Sequence, residues 1–485
     1  MTSEKKVLIA ASLGFGVIQL DVSVVNVAVK AIGTSFGGGV TGLQWVVDAY
    51  TFSFAALILT AGALGDRLGA RRMCLAGFAM FTAASAACGL APALPVLIAA
   101  RTVQGVGAAM LGACTLVLLS HAYPDPERRA RAIGLWAVGA SSALAAGPLA
   151  GGLLISAVGW RAIFFINLPL GAIGLWLTAR HASETPRTNR ALDAPGQALA
   201  IVTVAALAGA AIEAGALGWA SPVVLAAITL AISSGILLII TERRSRRPML
   251  PLALFGQRAF AVSMTTGFAV NVAFYGLIFV VSLVLQRDHG FSSLTTGLTF
   301  VPVMAAIMAG NATASRLGTR GGLVPGAALL VAGCAVMAVV GSSVGGTGWV
   351  GLVAGLALAG LGLGIVVPAI TSAALGSVAA SRSGIAAGSL IAFRQTGSVL
   401  GVAVCGTLLT ETGSRAGQPG QGAGLTAAAG LGVLLSLLVL ALGLLARSGR
   451  KERRAGRRED DEHPGADDGG DRHPVGIRDA GGMQQ

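Results

Sequence analysis

Five ionisable side chains stand inside long apolar stretches of this 485-residue chain: Asp21, Asp48, Glu213, Arg101 and Arg394. A bare charge at such depth in hydrocarbon costs roughly 3 kcal/mol or more, so each needs a partner, a water-filled cavity or a proton. The chemistry open to such a set is proton binding and release. Burial favours a neutral carboxyl group and a neighbouring guanidinium favours a charged one, so a contact formed in only one conformation can load and unload a proton. Asp21 and Arg101 fall at similar depth and form the leading pair, with Asp48 as the next candidate. Glu213, close to the end of its stretch, reads as a surface residue. The competing role for Asp21 and Arg101 is a permanent structural ion pair.

Other chemistries find little support. The four lysines, Lys5, Lys6, Lys30 and Lys451, lack the glycines and the following Ser or Thr of a phosphate loop. All five histidines fall in loops or the tail, which leaves no zinc or haem site in the apolar stretches, and no nucleophile, base and orienting acid share a usable spacing. The expectation is a non-enzyme with no cofactor and no metal, driven by an ion gradient or by a partner ATPase. Cys74, Cys88, Cys114, Cys334 and Cys405 lie in apolar stretches without C-x-x-C spacing and read as small packing residues.

The elements that must position these groups are membrane helices. Hydrophobic residues make up 54% of the chain and charged ones 11%, and the mean hydropathy is +0.77, which excludes an ordinary soluble globule. A span needs about 20 mostly apolar residues. Fourteen stretches qualify: 7–29, 43–64, 73–91, 95–119, 132–155, 162–180, 196–215, 220–241, 260–285, 293–314, 322–342, 348–371, 384–410 and 424–446. With the N-terminus inside, the loops holding Arg71 and Arg72, Arg128 to Arg131, Arg187 and Arg190, Arg243 to Arg247, Arg320 and Arg382 all face the cytoplasm, as positive charge requires. Both termini are therefore expected in the cytoplasm, in a plasma-membrane protein. The net charge of +13 is then topological, and its scatter over many loops argues against nucleic-acid binding. The first stretch carries Asp21 and lacks a cleavage site, so it reads as a retained span and not a signal peptide. The 70 glycines suit close helix packing in lipid.

Gly62, Gly65, Asp66, Arg67, Gly69, Arg71 and Arg72 form a short charged hairpin between the second and third stretches. A shortened echo, Arg316, Gly318 and Arg320, follows 249 residues after Arg67, with Ser315 in place of the acid. Two copies in the same order and spacing indicate an internal duplication, the plan of many transporters that bind substrate where the halves meet.

The whole of residues 7–446 resembles the major facilitator superfamily, and within it the fourteen-span drug:proton antiporters of the EmrB/QacA type. Leu20-Asp21 and Val25-Asn26-Val27-Ala28 resemble that subfamily's first span, and Gln44-Trp45-Val46 with Ala49-Tyr50 the start of its second. Gly62 to Arg72 resembles the family's hairpin motif, and Arg101-Thr102-Val103-Gln104-Gly105-Val106-Gly107 its fourth-span motif. Gly147-Pro148 with Gly151 and Gly152 looks like the fifth-span motif of exporters, followed by Trp160-Arg161 and Phe165 to Pro169. Arg394-Gln395 with Gly397 and Gly401 is similar to the subfamily's thirteenth span. Val29-Lys30 departs from the usual Leu-Pro.

The resemblance implies an all-α polytopic protein: a six-helix bundle over 1–180, a linker with two extra helices over 181–245, a second six-helix bundle over 246–446, and a disordered tail over 447–485. Asp21 and Asp48 with Arg101 would couple protons. The Gly62–Arg72 set would gate the cytoplasmic face, and Gly147, Pro148, Gly151 and Gly152 would hinge the fifth span, a static kink being the alternative. Asn26, Gln104, Arg394 and Gln395 are candidate cavity residues. The expected function is proton-coupled export of an amphipathic drug or antibiotic by a monomer in the lipid bilayer. The rival is a metabolite transporter of the same architecture working as an importer. A non-transporting receptor is a third class, and no segment outside the spans is long enough to supply its sensory domain.

Overall fold

An apolar stretch in lipid must satisfy every backbone N–H and C=O within itself, and a helix does so segment by segment. The computed structural model describes residues 2–37, 39–187, 193–245, 252–340, 347–378, 383–415 and 423–462, and among them the elements are helices. In chain order these are α1 (Ser3–Phe36), α2 (Val40–Leu68), α3 (Ala70–Leu90), α4 (Leu94–Ala122), α5 (Pro126–Ala157), α6 (Ala162–Phe165), α7 (Asn167–His181), α8 (Ala194–Leu217) and α9 (Pro222–Arg244). A 3-10 turn, Leu252–Gly256, leads into α10 (Arg258–Arg287), α11 (Ser293–Gly321), α12 (Leu323–Val340), α13 (Thr347–Leu375), α14 (Ser383–Arg415) and α15 (Ala423–Glu462). Fourteen segments among the described residues are long and apolar enough to cross a membrane, with α6 and α7 together making the sixth. The protein is an all-α polytopic membrane protein. Most helices overrun the stretches read from hydropathy, because their ends carry polar residues that helix geometry tolerates and a hydropathy window does not count.

The boundaries follow local chemistry. Proline stands in the first turn of α4, α5, α8 and α9, where its missing N–H is no loss. Asp125 caps α5 by accepting from the Arg128 N–H at 2.8 Å, and Ser292 caps α11 through the Thr295 N–H at 3.1 Å. α6 breaks from α7 at Ile166, where Pro169 cannot donate to the carbonyl of Phe165. Lys30, the departure from the first-span pattern, does not end its helix: α1 runs on to Phe36, and the Lys30 ammonium donates to the carbonyl of Gln286.

The chain divides into two units. In the first, Met1–Gly443, α1 packs on α5 and α7, α4 on α2 and α3, α10 on α14, and α13 on α11 and α12. The first and second sets of helices meet along two seams, α2 against α14 and α5 against α11. The contacts between them include Ser282 donating to the carbonyl of Asn26 (2.6 Å), Gln286 to that of Val27 (3.1 Å), and Gln44 to that of Ala403 (2.8 Å). These lie toward the membrane side away from Ser3. The inserted α8 and α9 pair with each other, and α8 lies on both α2 and α14. In the second unit, Leu444–Gln485, α15 continues through Glu462. Residues 463–485 lie outside the described residues, as do the side chains of the echo at Ser315, Arg316, Gly318 and Arg320.

Candidate functional site

Two buried acids sit in opposite circumstances. Gly105 and Gly107 let α4 approach its neighbours closely: a methyl group on Gly105 would strike the Tyr50 carbonyl of α2, and one on Gly107 would stand 2.7 Å from the Phe81 nitrogen of α3. That approach carries Arg101 and Gln104, one turn away, into the middle of the bundle, where they are 1% and 0% exposed. Arg101 forms an ion pair with Asp21 of α1, donates to Gln104 Oε1 (2.8 Å) and to the Val46 carbonyl (3.0 Å), and lies 4.3 Å over the Tyr50 ring. Gln104 Nε2 donates to Asp21 Oδ1 (2.9 Å) and Ser85 Oγ (2.8 Å). Asn167, brought to the start of α7 by the break at Ile166, donates to the same Asp21 oxygen at 3.0 Å. Asp21 thus has three side-chain donors, the full satisfaction that a buried ion pair needs to be tolerated.

Asp48 has none. It is 0% exposed, and neither carboxyl oxygen has a hydrogen-bond partner. One turn before it on the same face of α2, Gln44 reaches α14, and two to three turns after it Leu59 lies near Gly388 of the same helix. Asp48 therefore belongs to the α2–α14 seam, opposite Val399 by this antiparallel register. Arg394 lies five residues along α14 on a face turned about 140° from Val399, and its Cγ would stand 3.0 Å from a methyl group on Gly267 of α10. It is half-buried and its Nε also has no partner.

The charged hairpin is built as a turn of one residue. Gly69 takes φ +95°, a conformation L side chains rarely adopt, and joins α2 directly to α3. Since Gly69 has no side chain to cap α3, Thr185, in the segment after α7, accepts from the Ala70 N–H at 2.8 Å. Glu184 pairs with Arg71 (3.2 Å) and Arg72 (3.6 Å), and Arg71 also donates to the Ala179 carbonyl (2.7 Å). Both arginines are thus engaged by residues at the end of α7 and just beyond, instead of by a distant helix end.

The expected hinge is a crossing of three helices. α5 runs unbroken through Pro148. A methyl group on Gly147 would strike Ser23 of α1, one on Gly151 would stand 2.7 Å from Val24, and one on Gly152 would stand 2.8 Å from the backbone of Leu294 in α11. Asn26 and Gln104, expected at a cavity, are packed inside helix contacts at 3% and 0% exposure, while Gln395 is half-buried beside Arg394. Glu213 is half-buried and accepts from the Trp45 indole N–H at 3.2 Å. All five cysteines are buried with free thiols.

Sequence reading assigned no role to Ser85, Asn167, Glu184 or Thr185. Ser85 and Asn167 are lone polar residues within apolar stretches, a signal that marks them as placed without saying against what. Glu184 and Thr185 stand in an ordinary polar loop and carry no local signal.

The profile of the Major Facilitator Superfamily matches residues 11–402. The chain is 38% identical over 405 residues to a "Methylenomycin A resistance protein" of Streptomyces coelicolor, covering 83% of this chain and 85% of that protein. It is 39% identical over 408 residues to "Multidrug resistance protein Stp" of Mycobacterium tuberculosis, covering 83% and 75%. A "Tetracenomycin C resistance and export protein" of Streptomyces glaucescens is 32% identical over 412 residues, covering 83% and 76%. Among solved structures, an auto-inhibited POT family peptide transporter superposes with a TM-score of 0.65 at 17% identity, over 92% of this chain and 96% of that one, a likeness of fold.

Proposed function

Because the chain belongs to the major facilitator superfamily, whose members are transporters and not enzymes, we propose that it is an exporter of amphipathic drugs or antibiotics, driven by protons taken up in exchange. The names of its relatives, which refer to resistance and export, support the direction and the substrate class. The observation that carries proton coupling is the unpartnered buried carboxyl group of Asp48, in contrast to the satisfied Asp21. A bare carboxylate in a buried seam is costly and a carboxylic acid is far less so. Asp48 therefore holds a proton in the conformation seen here. Asp21 is held by Arg101, Gln104 and Asn167.

Asp48 would take its proton from outer water when the α2–α14 seam parts, carry it into the outside-closed conformation seen here and yield it toward the cytoplasmic side, and a shift of α4 against α1 would likewise free Asp21 to take one up while the outer face is open. With the N-terminus in the cytoplasm of a plasma-membrane protein, the contacts at Lys30, Gln44 and Gly152 close the outer face. The two six-helix bundles then rock about the crossing of α5 with α1 and α11, and the Asp66–Arg72 hairpin sets the cytoplasmic side. The chain works as a monomer.

The test is drug uptake into inside-out vesicles under an imposed pH gradient. Asp48→Asn is expected to abolish drug-linked proton movement at normal protein level. Undiminished coupling in Asp48→Asn together with loss in a folded Asp21→Asn would move the proton site to Asp21. Undiminished coupling in both would remove the carboxylate mechanism.

A further inference from the structure

On the N-terminal side of the membrane, α1 is the floor of an elongated groove with α5 as one wall and Leu170 of α7 closing part of the other. The groove has a volume of about 460 Å³. It exists because the floor is low: Ser12 and Gly16 on α1 and Gly139 and Ala143 on α5 stand where larger side chains would fill it. The remaining lining is aliphatic, and its rim residues Ile9 and Leu135 are 40% and 60% exposed. α6 and α7 form the sixth span, and a groove between that span and α5 faces hydrocarbon. Its upper end stops at Leu20, next to Asp21.

The lower end is charged. Lys5 lies one turn before Ile9 and Arg131 one turn before Leu135, so both stand at the mouth on the faces that line the groove. The nearby acid Glu4 is held by Arg128 at 2.7 Å. Among the described residues Arg131 pairs with Glu127 alone, at 3.7 Å, with both side chains more than three-quarters exposed, a pair too weakly held to cancel its charge. A slot for a flexible apolar chain that opens at the interface beneath two cations matches one molecule class, an anionic phospholipid.

We propose that this groove is a binding site for an anionic glycerophospholipid of the leaflet on the N-terminal side, with an acyl chain along Ser12, Gly16 and Leu20 and the phosphate between Lys5 and Arg131. The site is separate from the coupling acids and does not depend on the transport reading.

The experiment is native mass spectrometry of the purified full chain released from nanodiscs of equal parts phosphatidylglycerol and phosphatidylcholine. The wild type is expected to keep one phospholipid with a several-fold preference for phosphatidylglycerol. Lys5→Gln combined with Arg131→Gln, exposed changes that leave the fold alone, should keep a lipid and lose the preference. Gly16→Leu should lose the lipid of either headgroup, and Ser12→Leu, on the half-buried lip, serves the same purpose if Gly16→Leu does not fold. Absence of preference in the wild type, an unchanged preference without the two cations, or full retention in both groove-filling variants would overturn the proposal.

Discussion

Changing one atom in each of Asp21 and Asp48 should separate their roles. Asp21→Asn leaves Arg101 as an uncompensated buried cation, and breaking a buried pair in this way costs about 3–5 kcal/mol. Asp48→Asn removes no pairing that the structure shows and should change stability by about 1 kcal/mol or less, within the range of substitutions that break no named interaction. Thermal unfolding of the purified variants, with and without the compensating Arg101→Gln, checks this; equal losses for the two acids would contradict the pairing. At this scale the sequence was informative about who was buried and less so about who was paired. The similar depths of Asp21 and Arg101 predict their contact, and Gln104, one turn from Arg101, follows from helix geometry. Asn167 and Ser85 reach Asp21 from other helices, and nothing local in an apolar stretch states which residue of another helix it will meet.

At the scale of the element, α3 depends on a residue 115 positions after its own first amide, because the Gly69 turn leaves no side chain to cap it. Thr185→Ala should fray that end. Loss of a cap costs about 1 kcal/mol, which corresponds to roughly five-fold faster hydrogen exchange at the first amides of α3. The rest of the helix should be unaffected, and unchanged exchange there would mean that water replaces the hydroxyl at no loss. Helix existence was legible because apolar length alone decides it in lipid, and all fourteen stretches have a helix. The partner of Arg71 and Arg72 was not, since the pattern of the hairpin motif states that the arginines need acids and not that Glu184, beyond α7, supplies one.

For the molecule as a whole, α8 makes an awkward bond. Two of its links, one near each end of α8, hold α2: Gln197 donates to the Ala56 carbonyl, and Glu213 accepts from Trp45. Two hold α14 near one end: Thr407 donates to the Ala211 carbonyl at 2.6 Å and Thr410 to that of Gly215 at 3.4 Å. If the bundles rock, one set must break, and the set anchored at a single end is the weaker. α8 should therefore travel with α2. A disulfide between Gly215→Cys and Thr410→Cys is expected to arrest transport, and a short dimaleimide bridge between Gln197→Cys and Ala56→Cys to leave it near normal. The opposite pattern would assign α8 to α14. Where the two inserted helices would sit could not be read from the sequence, because their order in the chain says nothing about which seam they cover.

Gly152 lies against the backbone of Leu294, and Gly297 comes up against the carbonyl of Pro148. Helices that mesh through interlocking side chains must lift knobs out of holes to turn past one another, and each lifted knob forfeits dispersion contacts until it finds a new hole. Here two bare rods touch, with no teeth to disengage. If the bundles rock about it, such a joint would act as a plain bearing of low resistance, and a single methyl group added on either face would act as grit.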